Sequence, residues 1–525
     1  MRSVRIFCLA AAFSLLGAAS AGAQPVLVLD GGKVRRADDP HLPRTDLPAP
    51  SPQRSSGGLR ASRRARQDPA PPPRGPAFRV AVRDLFSTGQ IDQTAYDRAK
   101  NAYNRLKRAY KSASGTRKVN LKAILDEADD ISRRGFVAPS RLNAMSLTLE
   151  RNQQWWTRGS IPRNGQRIEF AGSELVWQYY TNEGLQIQQL ANFGKANALW
   201  RDGNQGELRA LLDELISLAS DRGGALAFEY FFEFGGGEPP WTSGLSQATA
   251  LQALARATDL TGDPKYRDVA TRGLGVFEQP PPNGVRVDGE AGPHYLIYTF
   301  NPDLRVINAF LQAVIGLHDF AQLTDDPRAQ ALFSSGEAQA RVETPRYNTG
   351  VWSLYSLTRE SDLSYHKLTR DFLRRLCDRL GAPVYCDTAQ AFTDQLKITP
   401  EVAPVTRRVR GGKPAQLKFR LSKISRVGLT VLDASGRTVF ATSAVSGYGE
   451  KFFSWSNPPI AGGNYTLRVS AVDLAGNRGQ TTTGPLRVLK GKKPRSRGSD
   501  DDDGGNTQPP SDEPPIEPPP SKSRR

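Results

Sequence analysis

The segment 292–316 contains side chains that could recognise and act on a carboxylate. Tyr298 is a weak acid on a short stretch that Asn301-Pro302 ends, and Arg305 and Asn308 follow at the start of an apolar run. A phenol, a guanidinium and an amide suit a sugar carboxylate better than a phosphate or a metal ion. Most tyrosines of helical proteins pack in the core with a satisfied hydroxyl group, so the residue types alone leave a structural role open.

Three motifs follow one another within residues 231–376. The first is the glycine-rich stretch Gly235–Gln247, the second is the segment just described, and the third is Arg346–Gly350, which Tyr355 and Tyr365-His366 follow. In this order they resemble the C-terminal domain of D-glucuronyl C5-epimerases. Within the second motif, the matching residues are His294–Thr299, Val306–Phe310 and Gly316–Asp319.

The resemblance implies a set of catalytic tyrosines. In that family, tyrosines matching Tyr298, Tyr355 and Tyr365 lie around the uronate and transfer protons. The proton at C5 of a uronate is α to the carboxylate, so its removal needs a base on one face and its return needs an acid on the other. Because a free phenol has a pKa near 10, a tyrosine base needs a nearby cation that lowers this value.

Five further residues are candidate substrate ligands. Asn308 matches a family asparagine, and Glu238 matches the family glutamate before Pro-x-Trp, here followed by Trp241. Arg305 is our candidate for the substrate carboxylate because of its residue type, and His366 stands beside one of the tyrosines. Glu238 could act as an acid or a base, or could only begin a helix near Trp241, and a lone histidine is more often structural.

One departure from the family pattern concerns the pair of glutamates before the first tyrosine, because Leu296-Ile297 stands there. In the family the second of these carboxylates is thought to take part in proton transfer. Either the tyrosines suffice, or another acid such as Glu238 or Glu290 substitutes, or the exact heparan-type activity is lost.

These residues allow three interpretations of function. The first is a secreted enzyme similar to glucuronyl C5-epimerases, which acts on glucuronate in a glycan without metal or other cofactor. The second is a polysaccharide lyase, in which the same carbanion expels the C4 substituent. The third is a non-catalytic protein that binds a glycan or the cell surface. The motifs of phosphate loops, zinc peptidases, dinucleotide-binding folds and serine hydrolases are absent in a suitable context.

The elements that must position these residues are mainly helical. Apolar residues recur at helical spacing in a lead-in over 90–158. A unit of helix, Asp-Pro turn and helix occurs twice, with turns at Asp263-Pro264 and Asp326-Pro327. This repeat favours an α/α toroid with short strand insertions over 78–398, and the resemblance implies the same architecture. Aromatic and amide residues interleave over 174–197, as in clefts that hold sugars, although these amides could also bridge helices.

A different pattern begins after residue 398. Residues 399–490 alternate apolar and polar side chains between turns, which predicts a small all-β sandwich of immunoglobulin-like type. Residues 491–525 are rich in charge and proline, which predicts a disordered tail.

The N-terminal region predicts export. Residues 1–23 have the charged start, apolar run and small-residue end of a cleaved signal peptide, although an uncleaved anchor is an alternative. Residues 24–77 are rich in proline and arginine, and we expect a disordered basic linker there. The net charge of +18 and this linker suit an acidic polysaccharide or a cell-surface or cell-wall polymer as partner, rather than nucleic acid, although a solvated linker without a partner is the alternative. The resemblance also leaves a homodimer open.

Two cysteines, Cys377 and Cys386, remain after the predicted signal peptide. Export would allow a disulfide between them, and the alternative is a pair of buried thiols near a helix end.

Overall fold

The computed structural model describes residues 24–43 and 75–491. The predicted signal peptide, most of the predicted linker and nearly all of the predicted tail lie outside the described residues. The helices are α1 (Phe78–Ser87), α2 (Gln93–Ser112), α3 (Gly115–Arg133), α4 (Pro139–Arg158), α5 (Gln189–Arg201), α6 (Gln205–Ser217), α7 (Gly244–Thr261), α8 (Pro264–Gly273), α9 (Gly275–Glu278), α10 (Ile307–Thr324), α11 (Pro327–Glu343), α12 (Leu363–Leu380) and α13 (Pro383–Gln395).

The strands fall into an N-terminal sheet, three short hairpins and a C-terminal β module. The first group is β1 (Gln24–Asp30), β2 (Lys33–Asp39), β3 (Arg167–Phe170), β4 (Trp177–Tyr180) and β5 (Gly184–Ile187). The hairpin strands are β6 (Ser220–Arg222), β7 (Ala225–Ala227), β8 (Arg286–Asp288), β9 (Pro293–Tyr295), β10 (Leu354–Ser356) and β11 (Arg359–Glu360). The β module contains β12 (Val402–Pro404), β13 (Arg408–Arg410), β14 (Ala415–Leu421), β15 (Ser425–Leu432), β16 (Thr438–Ser446), β17 (Gly449–Trp455), β18 (Gly463–Asp473) and β19 (Thr482–Leu489).

The predicted helical lead-in is present and is longer than expected. Helices α2, α3 and α4 pack on one another, and α4 begins at Pro139, whose fixed φ suits a first helical turn. Helix α1 was not predicted, because the lead-in was expected to begin near residue 90. Phe78 and Val82 anchor it, one turn apart and both buried in the shared core.

Helical hairpins form the central part of the chain. Helices α5, α7, α10 and α12 contact one another in succession. Helices α8, α11 and α13 each pack on one of them, and α6 packs on both α5 and α7. Asp263 and Asp326 cap the outer helices α8 and α11, because their carboxylates accept backbone N–H groups of the following turn. The two predicted Asp-Pro turns are thus confirmed, and each joins two antiparallel helices through a very short connection.

The N-terminal sheet corrects the prediction of a disordered linker for residues 24–39, while residues 44–74 of that linker lie outside the described part of the chain. Its order is β2-β1-β3-β4-β5, with β1 parallel to β3. Residues 25–29 form a short apolar run that buries Val26, Val28 and Leu29, and a two-residue turn at Gly31-Gly32 with positive φ closes the hairpin. The prediction of disorder was based on the proline and arginine content of the whole segment, so this short strand was not predicted.

The β module consists of two sheets that share one hydrophobic cluster. Their orders are β12-β14-β17 and β13-β19-β18-β15-β16. Alternate residues of β14 and β15, such as Phe419 and Leu429, are buried in the cluster between them. The module begins at Val402, seven residues after α13 ends at Gln395.

Two polar residues connect the β module to the helical part. Lys423 is fully buried, and its Nζ lies 2.6 Å from Asp473 Oδ2 and 3.2 Å from the Gln395 carbonyl oxygen. Glu360 of β11 accepts the backbone N–H groups of Ile424 at 2.8 Å and Tyr448 at 2.7 Å. The module therefore contacts the hairpin of β10 and β11 directly.

Cys377 and Cys386 form a disulfide that links the end of α12 to α13, which decides between the two alternatives for these cysteines. None of the helices within residues 24–43 and 75–491 combines the length and apolar character needed to cross a membrane.

Candidate active site

Tyr298 lies on the loop between β9 and α10, and this loop contacts the hairpin of β10 and β11. Val306, at the end of the loop, forms an antiparallel bridge with Ser356 of β10. Because Tyr355 is the neighbouring residue of β10, this bridge joins the two segments that carry Tyr298 and Tyr355.

Tyr355 and Tyr365 form a pair of phenols that share a hydrogen bond. Their ring centroids are 4.7 Å apart. Tyr365 lies in the first turn of α12, where its N–H donates to the Asp362 carboxylate at 2.9 Å. Tyr298 packs with Tyr355 against one apolar cluster that includes Ile297, and both other phenols act electrostatically on Tyr298. The three tyrosines predicted to be catalytic therefore meet at one place, which we call the tyrosine site.

Burial keeps these phenols in their neutral form. Desolvation is the largest effect and raises the pKa of Tyr298 well above its usual value, and the neighbouring phenols raise it further. Desolvation also raises the pKa of Tyr355 and of Tyr365. The Arg359 guanidinium, 5.1 Å from the centroid of the Tyr355 ring, opposes this rise at Tyr355. A phenolate base at this site therefore needs positive charge close by.

Tyr298 also packs against a cluster of aromatic side chains. Its members are Tyr180, Tyr230, Phe232, Phe234 and Trp241, with Tyr298 and Phe300 packed against them. Trp241 is only 3% exposed, stacks on Tyr230 with a centroid distance of 4.3 Å, and donates from Nε1 to the Phe232 carbonyl. With one face and its N–H engaged, Trp241 packs edge-on against Tyr298 with a centroid distance of 5.4 Å, and the substrate contact predicted for it stays a prediction.

His366 lies inside the protein near the start of α12, and the substrate contact predicted for it stays a prediction. Its ring is fully buried and stacks on Trp352 with a centroid distance of 3.9 Å. Because a carbonyl only accepts, Nε2–H donates to the Phe392 carbonyl, and Nδ1 accepts from the Ser353 hydroxyl, both at 2.8 Å. Desolvation lowers the pKa of His366 to about 4, so the ring is neutral and fixes the start of α12 beside Tyr365.

Arg305 belongs to a network inside the protein. Its Nη1 lies 3.0 Å from Glu343 Oε1, and His294 Nδ1 lies 2.9 Å from Glu343 Oε2. Although burial opposes it, the hydrogen bond from His294 and the charge of Arg305 hold the pKa of Glu343 below its usual value. Arg305 also lines a cavity of about 350 Å³ together with Ser356 of β10. Its charge is thus balanced by Glu343, and its contact with a substrate carboxylate stays a prediction.

Asn308 and Glu238 lie in contrasting surroundings. Asn308 is buried in the first turn of α10, and its Oδ1 has no hydrogen-bond partner among the described residues. The Glu238 side chain is 69% exposed, and its Oε2 lies 3.2 Å from Arg134 Nη2. The substrate contacts predicted for both residues stay predictions.

Sequence reasoning missed a second group of polar residues near the tyrosine site. Arg167 of β3 acts electrostatically on Tyr180 and Tyr230, and these two phenols act on Tyr298. The Tyr230 hydroxyl donates to Gln188 Oε1 at 3.1 Å, and Gln188 Nε2 donates to the Tyr180 hydroxyl at 2.8 Å. The interleaved aromatic and amide residues were a signal for this region, but they did not distinguish Arg167.

Comparison with known proteins connects this geometry to a family. Residues 222–394 match the family model described as D-glucuronyl C5-epimerase C-terminus. A D-glucuronyl C5-epimerase of Caenorhabditis elegans is 31% identical over 132 residues, which are 23% of this chain and 21% of that protein. An uncharacterized protein of Methanocaldococcus jannaschii is 28% identical over 152 residues, which are 28% of this chain and 49% of that protein. The chain therefore spans about a fifth and about a half of the lengths of these two relatives.

Solved structures show only a distant likeness. A cellobiose 2-epimerase from Bacillus thermoamylovorans has 8% identity and a TM-score of 0.32, covering 53% of this chain and 74% of that chain. A sugar epimerase from a ruminal bacterium has 12% identity and a TM-score of 0.29, covering 40% of this chain and 62% of that chain. The family match covers all three tyrosines and extends the resemblance seen in the sequence motifs. Residues 222–394 are therefore similar in sequence to the C-terminal domain of D-glucuronyl C5-epimerases.

Proposed function

We propose that the tyrosine site removes and returns the C5 proton of uronate residues within a glycan, as a carbohydrate epimerase. The convergence of Tyr298, Tyr355 and Tyr365 carries this proposal, because the three come from a loop, a strand and a helix that are distant in the chain. The family match over 222–394 supports an epimerase reaction, and the name of the Caenorhabditis elegans relative supports glucuronate as the substrate.

The reaction uses two groups of phenols. One phenolate removes the proton as the C5–H bond breaks, and the electron pair of that bond moves into the substrate carboxylate as an enediolate. A phenol on the opposite face then gives its proton to C5, which inverts the centre. We assign Tyr298 to one face and the hydrogen-bonded pair of Tyr355 and Tyr365 to the other.

The residue at position 297 is the reason why this proposal assigns proton transfer to phenols alone. Ile297 is 5% exposed and packs in the apolar cluster that Tyr298 and Tyr355 contact. An aliphatic side chain cannot exchange a proton, so this chain has no acid or base at the position where the family pattern has a glutamate. In this proposal phenols therefore serve on both faces of C5, with Arg359 as a cation beside Tyr355.

The wider context of the chain is also a proposal. The succession of helical hairpins is compatible with an α/α toroid around the tyrosine site, and the two packed sheets are compatible with an immunoglobulin-like sandwich. We further propose an exported protein whose acidic, uronate-containing polysaccharide is attracted by the positive net charge. Residues 1–23 and the arginines of the linker support this reading by their composition.

Product analysis with heparosan, an unsulfated glucuronate glycan, tests the proposal. Proton NMR of the treated glycan should show iduronate, and Tyr355→Phe and Tyr365→Phe should each slow its formation by about 10²–10⁴-fold. The control is Tyr385→Phe. The buried Tyr385 hydroxyl donates to Glu337 Oε1 at 3.1 Å and is not part of the tyrosine site. Its removal should therefore leave the rate close to that of the wild type.

Two other products of this experiment would contradict the proposal. A 4,5-unsaturated uronate that absorbs in the ultraviolet would mean elimination, and the protein would then be a lyase. Retained glycan binding with neither product would favour the glycan-binding interpretation.

A further inference from the structure

Arg167 and Gln178 place unpaired hydrogen-bond donors side by side on one face of the N-terminal sheet. The two residues are direct neighbours across β3 and β4, so their side chains point to the same face. Arg167 Nε, Arg167 Nη1 and Gln178 Nε2 are all buried from solvent, and none has a hydrogen-bond partner within the part of the chain that the structure describes. Three donors without an acceptor therefore meet at this point of the sheet.

Such an arrangement is costly for a free protein. A buried donor without a partner has lost its hydrogen bonds to water without replacing them, and this loss destabilises the fold more when the donor is charged. Burial lowers the pKa of the Arg167 guanidinium for the same reason. An acceptor that arrives with a ligand would remove this cost, and a carboxylate matches the fork of a guanidinium best.

A second buried cation, Lys195, is paired with carboxylates near the same face of the sheet. Lys195 is 5% exposed and lies within 3.0–3.5 Å of carboxylate oxygens of Asp39, Glu169 and Glu174. Glu169 lies two residues beyond Arg167 on β3 and so faces the same side, but its carboxylate lies beside Lys195. Lys195 is thus compensated within the protein, whereas Arg167 is not.

Arg167 is also close to the tyrosine site. Tyr180 follows Gln178 on the same face of β4 and lies in the aromatic cluster with Tyr230 and Tyr298. Arg167 acts electrostatically on Tyr180 and Tyr230, and both act on Tyr298. The residue as a whole is half-buried, so a rotation of its terminal torsions could present the N–H groups to a ligand.

We propose that Arg167 and Gln178 bind the carboxylate of the uronate whose C5 proton the tyrosine site exchanges. The guanidinium donates two hydrogen bonds to the carboxylate, and the Gln178 amide donates a third. As the enediolate forms, its negative charge grows on these same oxygens, so the contacts also stabilise the transition state. This inference rests on the proposed function, and it adds a pair of residues that lie outside the family match over 222–394.

Binding measurements separate this inference from the reaction itself. The full chain is titrated calorimetrically with a heparosan oligosaccharide and with the same oligosaccharide after chemical reduction of its carboxyl groups to alcohols. The wild type should prefer the acidic form. Arg167→Gln should weaken binding of the acidic form by about 10–100-fold and leave the neutral form unchanged, and Gln178→Met should have a smaller effect of the same kind.

Arg163→Gln is the matched control. Arg163 is an exposed arginine just before β3. This variant therefore removes one positive charge from the same region and leaves Arg167 and Gln178, the donor pair, unchanged. Its effect on the acidic ligand should be small and should disappear at high salt. The effect of Arg167→Gln should persist at high salt.

Stability offers a second readout. Because Arg167 lacks an internal acceptor for two of its nitrogens, Arg167→Met should leave the melting temperature unchanged or raise it. A clear drop would show that Arg167 is paired within the protein and would overturn the inference. So would equal weakening of the acidic and neutral ligands by Arg167→Gln, or a wild type that does not prefer the acidic ligand.

The two proposals fail in different ways. A wild type that prefers the acidic ligand through Arg167 but exchanges no C5 proton would contradict the proposed reaction and keep the carboxylate site. Exchange that proceeds normally in Arg167→Gln would keep the reaction and reject Arg167.

Discussion

At the residue scale, the tyrosine site is a group of weak acids that burial holds in the neutral form. The pKa values of Tyr298, Tyr355 and Tyr365 are all raised in the free protein, and desolvation is the largest cause for each. Positive charge near the site works in the opposite direction, through Arg359 beside Tyr355 and Arg167 beside the aromatic cluster. The phenolate needed as a base is therefore the minor form at neutral pH.

The raised pKa values of the three tyrosines predict how the reaction rate depends on pH. A base whose pKa lies above 10 is ionised more often as the pH rises, so kcat/KM for C5 exchange should increase about tenfold per pH unit between pH 7 and 9. The rate is measured with heparosan across this range, with circular dichroism as a check that the fold persists. A plateau that begins at pH 6, or a fall in rate with rising pH, would point to a carboxylate or histidine base instead.

At the element scale, the hairpin of β10 and β11 depends on the β module. Glu360 of β11 accepts two backbone N–H groups of the module, and Tyr355 lies on the neighbouring strand of the same hairpin. The module thus helps to hold one of the proposed catalytic phenols in position.

Glu360→Ala tests this support. The change leaves two partly buried N–H groups without their acceptor, so the free energy of unfolding should fall by about 1–2 kcal/mol and turnover should fall with it. Glu450→Ala is the control, because Glu450 forms an exposed ion pair with Lys418 that contributes about 0–1 kcal/mol. Urea denaturation gives both values, and equal losses in the two variants would contradict the role of Glu360.

The sequence predicted elements and local turns better than it predicted burial. The Asp-Pro turns and the alternation of the β module are local patterns, and the positions of the three tyrosines came from motifs. The burial of His366 and Trp241 could not be predicted, because their neighbours Trp352, Phe392 and Tyr230 come from other segments.

The donor pair could not be predicted for a related reason. Arg167 and Gln178 meet through the register of β3 with β4, and the sheet includes β1, which was expected to be disordered. Nothing in the residue types shows which buried donors lack acceptors, since this depends on every neighbour at once.

At the scale of the whole molecule, a buried ion pair of the β module lies where the module meets the helical part, because Lys423 also donates to the Gln395 carbonyl. Lys423 and Asp473 are fully buried, and Lys423 Nζ also lies 5.0 Å from the centroid of the Trp352 ring. Trp352 in turn stacks on His366 at the start of α12. The contact between the two parts therefore extends to the residues that support Tyr365.

Lys423→Met should destabilise the whole chain. The change leaves Asp473 buried without its cation, which costs about 3–5 kcal/mol, whereas Lys418→Met removes only an exposed pair and should cost about 0–1 kcal/mol. Both are measured by chemical denaturation. A difference of less than 1 kcal/mol between the variants would mean that this buried pair contributes little to the stability of the chain.

The disulfide should stabilise the last helical hairpin. Closing the short loop between Cys377 and Cys386 restricts the unfolded chain, so replacing both cysteines by alanine should lower the free energy of unfolding by about 2–3 kcal/mol. Reduction of the wild type with dithiothreitol should lower stability in the same direction. Unchanged stability after both treatments would show that the bond contributes little.

The most direct measurement follows deuterium from heavy water into C5 of heparosan by proton NMR. The full-length wild type should incorporate deuterium at C5, and Tyr298→Phe should reduce the rate by at least about 10²-fold while glycan binding is retained. This result would assign proton transfer to the tyrosine site whichever product forms. Incorporation by Tyr298→Phe at the wild-type rate would contradict the central claim, because the proton would then be exchanged by a group other than this phenol.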